Sequence, residues 1–318
     1  FETFTRPERL KWLRWPLAAY QKTGLQALLR GIGFFKVLPK AAGAMDALLP
    51  TVNSVAAIAA TTPALGEERK RVGLLLGCVQ RSFFSHVNAA TVRVLAAEGC
   101  RVIAPPEQPC CGALFVHAGE EEQACELARR TIDAFEHANV ESIIINAAGC
   151  GSTVKEYGRL LRDDPAYAQR ASAFAAKCKD ISEFLAELPP RTERKPLRAR
   201  IAFHDSCHLQ HAQGVRAQPR SLLKQIPELE LVEIPESPIC CGSAGIYNLV
   251  QPDAAEALGD RKAQLIAPLQ PDAVATGNPG CILQLRSSLE RANRHTPVLH
   301  TIQLLDASIR GAKLESLL

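Results

Sequence analysis

No run of about 18 uncharged apolar residues occurs in the 318-residue chain, so no helix is expected to span a membrane. The Cys-x2–4-Cys knuckle that marks structural zinc sites is missing. So is a Gly-x-Gly-x-x-Gly fingerprint, which leaves no dinucleotide or flavin signature. Nothing reads as a secretory leader, which argues against a disulfide-stapled extracellular fold. The formal net charge of +4 is too small to point to nucleic acid. The chain starts with Phe1 rather than Met, which reads as a processed or excised piece of a longer polypeptide.

Apolar residues make up 47% of the chain, enough to bury a core, and charged residues 22%, an ordinary share that argues against disorder. The excess is in cysteine, with 11 residues. In a large chain without a leader, that number points to metal binding rather than to disulfides.

Eight of the cysteines form two matching sets: Cys78, Cys110, Cys111 and Cys150, then Cys207, Cys240, Cys241 and Cys281. Partners are separated by 129, 130, 130 and 131 residues, and both vicinal pairs continue into glycine, Gly112 and Gly242. Both last cysteines also follow a glycine, Gly149 and Gly280. A common offset at four positions indicates a duplication. We place the first unit at 71–190 and the second at 198–318, joined by the Pro-rich charged stretch from Leu188 to Pro196. Residues 1–65 lie outside the repeat and read as helical, with Pro39 and Pro50 as breakers. Their first 40 residues carry eight Lys or Arg against Glu2 and Glu8, and both tryptophans, Trp12 and Trp15.

Apolar runs predict strands at Val72–Leu76, Arg101–Ala104 and Ser142–Ile145 in the first unit, with helices at Val87–Glu98 and Glu120–His137. The second unit predicts strands at Arg200–Phe203, Leu229–Ile234 and Asp272–Thr276, with a helix at Ala254–Leu265. Short apolar strands alternating with helices imply an α/β fold with a short parallel sheet in each unit. The motif cysteines then fall just past the carboxyl ends of strands, where open α/β sheets place ligands.

Each unit offers four thiols from three separate loops. Thiolates are soft ligands suited to zinc, Cu(I) or iron–sulfur clusters. Side chains of adjacent cysteines diverge, so a vicinal pair serves two atoms of a larger cluster better than one small ion. The following glycine lets backbone amides approach the cluster sulfurs. Buried core cysteines that repeat only by duplication, and a redox dithiol at each vicinal pair, remain alternatives. The cluster reading requires Cys78 and Cys207 to lie within about 10 Å of their vicinal pairs. Cys100, Cys125 and Cys178 have no repeat partner and read as buried small hydrophobes. In His204-Asp205-Ser206-Cys207-His208, His208 reads either as a group that hydrogen-bonds or ligates near the second set or as a packing or capping loop residue. Asn278-Pro279-Gly280 reads as a structural turn.

The doubled Cys…Cys-Cys-Gly…Cys arrangement resembles the cysteine-rich CCG-domain family over about residues 70–310. That family includes the heterodisulfide reductase B subunit, lactate-utilisation proteins, the anaerobic glycerol-3-phosphate dehydrogenase C subunit and the glycolate oxidase iron–sulfur subunit. The stretch Cys240 to Leu249, the Gly277–Cys281 turn and the segment around Trp15-Pro16-Leu17 resemble the glycolate oxidase branch. Two departures stand out. Ala147 and Asn278 occupy positions where the heterodisulfide reductase branch has a further cysteine, and the ferredoxin-like region expected upstream is not in this sequence. The resemblance implies an electron-transfer subunit of a glycolate oxidase that holds up to one iron–sulfur cluster, 4Fe-4S, per unit on the eight cysteines. It also implies flavin-containing partner subunits that oxidise glycolate to glyoxylate, and a quinone acceptor. The implied location is cytoplasmic, with a peripheral place on the inner membrane as an option. Subunits acting on lactate, glycerol-3-phosphate or a heterodisulfide, and a zinc-bound scaffold, are the competing readings. No nucleic-acid partner is expected.

Overall fold

Strands form where Val, Leu, Ile and Ala run without interruption, the pattern of a parallel strand covered on both faces. In the computed structural model, which describes residue 3, residues 5–52 and residues 54–317, these runs build two sheets. The first comprises β1 (Thr61–Thr62), β2 (Lys70–Leu75), β3 (Cys100–Ile103), β4 (Ser142–Ile145) and β5 (Cys178–Asp180), in the order β1-β3-β2-β4-β5. The second comprises β6 (Ala199–Phe203), β7 (Leu229–Glu233), β8 (Ala273–Thr276) and β9 (Val298–His300), in the order β7-β6-β8-β9. Apart from the two-residue antiparallel strand β1, which pairs with β3, every pairing is parallel.

The two sheets share one topology. In each, the first long strand lies between the second and the third, and a short fourth strand closes the edge. Leu74 pairs with Ile144 in the first sheet and Phe203 with Ala275 in the second. The chain leaves the central strand in one direction and returns on its other side. A crevice therefore opens at the carboxyl ends of β2 and β4, and another at those of β6 and β8.

The predicted helices appear at Ser85–Ala97, Glu121–Glu136 and Pro252–Ile266. Each lies within a few residues of its expected span. Strands β1, β5 and β9 are too short to show a sequence signal.

The units pack through helices. Ser85–Ala97 lies against Thr301–Arg310, and Ile181–Glu187 against Ala217–Lys224. Their apolar faces merge into one core containing Val72, Leu95, Ile201 and Leu304, all fully buried. The join is not a free tether. Arg194 forms a 2.7 Å ion pair with Glu98, both buried, and the Arg191 backbone N–H donates to Glu98 Oε2 at 2.6 Å.

The N-terminal segment bridges both units. Helix Pro7–Lys22 begins with Pro7, whose missing N–H costs nothing at that position. It buries Leu10 beside Cys78, Cys110 and Cys111. Helix Lys40–Ala47 follows Pro39 and packs on Tyr247–Val250 and Pro252–Ile266. Arg286 of the second unit donates to the Leu49 carbonyl at 2.6 Å. Among the described residues no helix is long and apolar enough to cross a membrane.

Candidate metal centre

Every motif cysteine lies where a strand hands over to a helix. Cys78 opens helix Cys78–Phe83, three residues past β2, and Cys207 precedes the wide helical turn His208–Ala212. Cys150 and Cys281 sit in the first turns of helices Ala148–Lys155 and Pro279–Arg291. Helix N-termini carry partial positive charge and free N–H groups, which favour thiolate over thiol.

The vicinal pairs occupy the loops after β3 and β7, and their glycines are required by geometry. Gly112 and Gly242 have φ of +80° and +93°, the left-handed region that disfavours side chains. A Cβ on Gly242 would lie 2.3 Å from the Ala255 carbonyl oxygen, and one on Gly112 would lie 3.3 Å from that of Ala124. The same turn brings the Gly242 N–H to 3.3 Å from Cys240 Sγ, as a donor to sulfur.

The four thiols of each set converge. Cys78 Sγ lies 3.4 Å from Cys110 Sγ, well inside the limit of about 10 Å. Within each vicinal pair the two side chains reach different partners. Cys110 meets Cys78 and Cys111 meets Cys150, while Cys240 meets Cys207 and Cys241 meets Cys281. The two sulfurs of each pair also touch one another rather than diverging, so each pair joins two outer partners through adjacent sulfurs.

Electrostatics fit a cationic guest. Contact with Cys110 and then burial hold the Cys78 thiol well above its usual range. Contact with Cys111 is the main reason that Cys110 is raised too. In the second set, contact with Cys207 draws Cys240 down, and Cys207 rises through the same contact. Four touching, largely buried sulfurs cannot all ionise by themselves; a bound metal would supply the compensating charge. The soft donor set, the amide donors and the helix termini all fit an iron–sulfur group.

Both sets face one cavity of about 280 Å³ between the units. All eight cysteines line it, with Phe83, Leu114, Ile246 and Leu283 as apolar walls, and Met45, Leu48, Leu49 and Pro50 of the N-terminal segment as one side. His208 reaches it too, but toward the other unit: its Nε2 lies 3.0 Å from His117 Nε2. Asn278, expected to be only a turn former, takes part in the site. Its Nδ2 approaches Cys281 Sγ at 3.6 Å.

The residue missed from sequence is His204. It follows β6 directly, is 1% exposed, and places a ring nitrogen within 4.8 Å of the Cys241 and Cys281 sulfurs. The available signal was its position immediately after the buried run Ile201-Ala202-Phe203, where continued burial would strand an imidazole. Cys100 and Cys178 are buried as expected, in β3 and β5. Cys125 is only half-buried, near the Leu160 carbonyl oxygen at 3.6 Å.

Comparison with known proteins agrees with this geometry. The family model described as "Cysteine-rich domain" (CCG) matches residues 72–155 and again 201–286. A second, "Glycolate oxidase iron-sulfur subunit, linker region", matches residues 1–49. The chain is 38% identical over 316 residues to the "Probable glycolate oxidase iron-sulfur subunit" of Bacillus subtilis, covering 98% of this chain and 71% of that protein. It is 36% identical to the "Glycolate oxidase iron-sulfur subunit" of Escherichia coli, covering 76% of this chain and 58% of the relative. A subunit of the fumarate reductase (CoM/CoB) of Methanothermobacter marburgensis is 37% identical over 74% of this chain and 46% of its own length. The chain thus spans 71%, 58% and 46% of the length of these three relatives. In fold alone, it resembles a solved hypothetical protein from Helicobacter pylori at 14% identity, with a TM-score of 0.53, covering 86% of this chain and 55% of that one.

Proposed function

The chain belongs to the family of glycolate oxidase iron-sulfur subunits, built on the cysteine-rich CCG domain, and on that premise we propose that its eight motif cysteines hold two iron–sulfur clusters, of 4Fe-4S type, that relay electrons within a glycolate-oxidising complex. The observation that carries this reading is the convergence of four thiols in each unit, with each vicinal pair split between two partners.

Cys78, Cys110, Cys111 and Cys150 hold one group, and Cys207, Cys240, Cys241 and Cys281 the other. When bound, such a group supplies one-electron transfer. The chain's own part is to exclude water with Leu10, Phe83 and Leu283, to direct amide donors such as Gly242 N–H at sulfur, and to keep both sites facing one cavity. Flavin chemistry that oxidises glycolate to glyoxylate belongs to partner chains, and electrons pass onward to a quinone. The working division of the chain is a basic helical segment at 1–65 and two units at 71–190 and 198–318.

The deciding experiment is iron and acid-labile sulfide analysis with EPR on anaerobically purified protein. The expected result is several atoms of each per chain, with Cys110→Ser and Cys241→Ser each removing one of two signals. Zinc near two per chain, without sulfide, would replace this reading with a scaffold.

A docking role for the N-terminal segment rests on a separate observation. Trp12 and Trp15 are 74% and 76% exposed on a helix rich in Lys and Arg. We assign this face to a partner subunit or to the anionic cytoplasmic face of the inner membrane. Salt-sensitive pelleting with anionic liposomes supports the membrane option; no pelleting removes it.

A further inference from the structure

Neither ring nitrogen of His204 has a nitrogen or oxygen partner, and the ring instead contacts the Cys281 sulfur, although the side chain is 1% exposed and both nitrogens are sealed from solvent. A neutral imidazole has one N–H to donate and one lone pair to give. Burying either without a partner is unfavourable, because its contact with water is lost and nothing replaces it. The neighbouring Cys241 and Cys281 sulfurs lie within 4.8 Å and can accept from the N–H. They cannot satisfy the lone pair once ionised, because a thiolate has no proton to donate. Nearby polar groups are engaged elsewhere: Asp205 is held by Arg220 at 2.8 Å, and Ser206 Oγ by Thr276 Oγ1 at 2.9 Å. A metal ion is the partner that fits a stranded imidazole lone pair beside two thiolates.

We propose that His204 is a fifth protein donor of the second site, binding through a ring nitrogen one iron that takes it as an added ligand beyond those from Cys207, Cys240, Cys241 and Cys281. The proposal rests on the iron–sulfur reading above. Among the described residues the first site has no equivalent. With Phe203 and Leu74 at matching places in their sheets, the residue facing the first set is Leu75, buried and apolar.

The test uses anaerobically purified, cluster-loaded full chain with 14N- or 15N-histidine and pulsed EPR on the reduced protein. The expected result is strong nitrogen coupling of a directly bound imidazole on the signal lost in Cys241→Ser, and none on the signal lost in Cys110→Ser. His204→Leu, which copies the first unit, abolishes the coupling on that one signal and leaves the other signal unchanged. His204→Cys restores a five-donor set, keeping full iron and sulfide without the coupling. Full iron and sulfide with no strong coupling on either signal overturns the assignment of His204 and leaves the cluster reading standing. Protein with no iron or sulfide overturns both.

Discussion

Asn278 accepts a hydrogen bond from the Gly149 backbone N–H through Oδ1 at 3.2 Å. The residue before the last cysteine of one unit is thus held by the residue three before the last cysteine of the other. Next to it, the Ala148 N–H donates to the Gly277 carbonyl at 3.1 Å. The two metal-binding loops are therefore positioned by each other and not only by their own sheets. The same side chain directs Nδ2 toward Cys281 Sγ.

Asn278→Ala removes both contacts. It should cost about 1 kcal/mol of stability and, in cluster-loaded protein, lower the midpoint potential of the second site, because a donor to sulfur is lost. Asn278→Asp keeps an acceptor for Gly149 but loses the donor. Redox titration paired with thermal unfolding separates the two roles. Unchanged potentials in both variants would mean that Nδ2 does not act on the sulfur.

The two motif glycines should differ in tolerance. Gly242→Ala forces a Cβ to 2.3 Å from the Ala255 carbonyl oxygen at a φ of +93°, whereas Gly112→Ala meets its nearest atom at 3.3 Å. Backbone strain of this kind costs about 1–3 kcal/mol. Thermal unfolding should place Gly242→Ala clearly below Gly112→Ala, and equal melting temperatures would contradict the steric argument.

The buried pair of Arg194 and Glu98 predicts a large effect from a residue in the interunit connection. Arg194→Ala leaves the Glu98 carboxylate, 1% exposed, without its ion pair. Breaking such a pair costs about 3–5 kcal/mol. Arg191→Ala keeps the backbone N–H that donates to Glu98 and should stay within about 1 kcal/mol. Denaturant titration reads both, and a mild Arg194→Ala would show that the connection contributes little.

His300 gives a pH prediction. Its Nδ1 accepts from the Ile302 N–H at 3.1 Å and its Nε2 donates to the Asn146 carbonyl at 2.9 Å, across the units. Both bonds suit the neutral ring, and burial is the main cause that lowers its pKa to about 4. The unfolded ring takes a proton near pH 6.5, before the folded one does. Stability from this group is therefore intact above pH 6.5 and falls as pH drops toward 4, by about 3 kcal/mol in all. Asp180, raised by burial to about 6, works in the opposite sense over much of that window. The measurement is accordingly the difference between wild type and His300→Gln from pH 7 to pH 4. That difference should shrink as pH falls, and a constant difference would refute the assignment.

Much of the fold was legible because strands and helices report burial through local patterns. Val72–Leu75 and Ile143–Ile145 are unbroken apolar runs, and both became central strands. The helix at Glu121–Glu136 shows its buried Ala124, Leu127, Ala128, Thr131 and Phe135 at three- and four-residue spacing. Strands β5 and β9, at three residues each, carry no such pattern and owe their existence to the neighbour they pair with.

What the amino-acid order determined by itself is the duplication, the two parallel α/β units and the eight thiols, since fixed offsets and apolar runs survive in one dimension. Tertiary structure alone decided which thiol meets which, that both sets open onto one cavity, that the N-terminal segment walls it, and that His204 rather than His208 turns toward sulfur. These depend on contacts between residues as much as 237 positions apart and on the direction of a side chain just beyond a strand end. There the two-residue alternation lapses, and packing against the rest of the molecule sets the orientation.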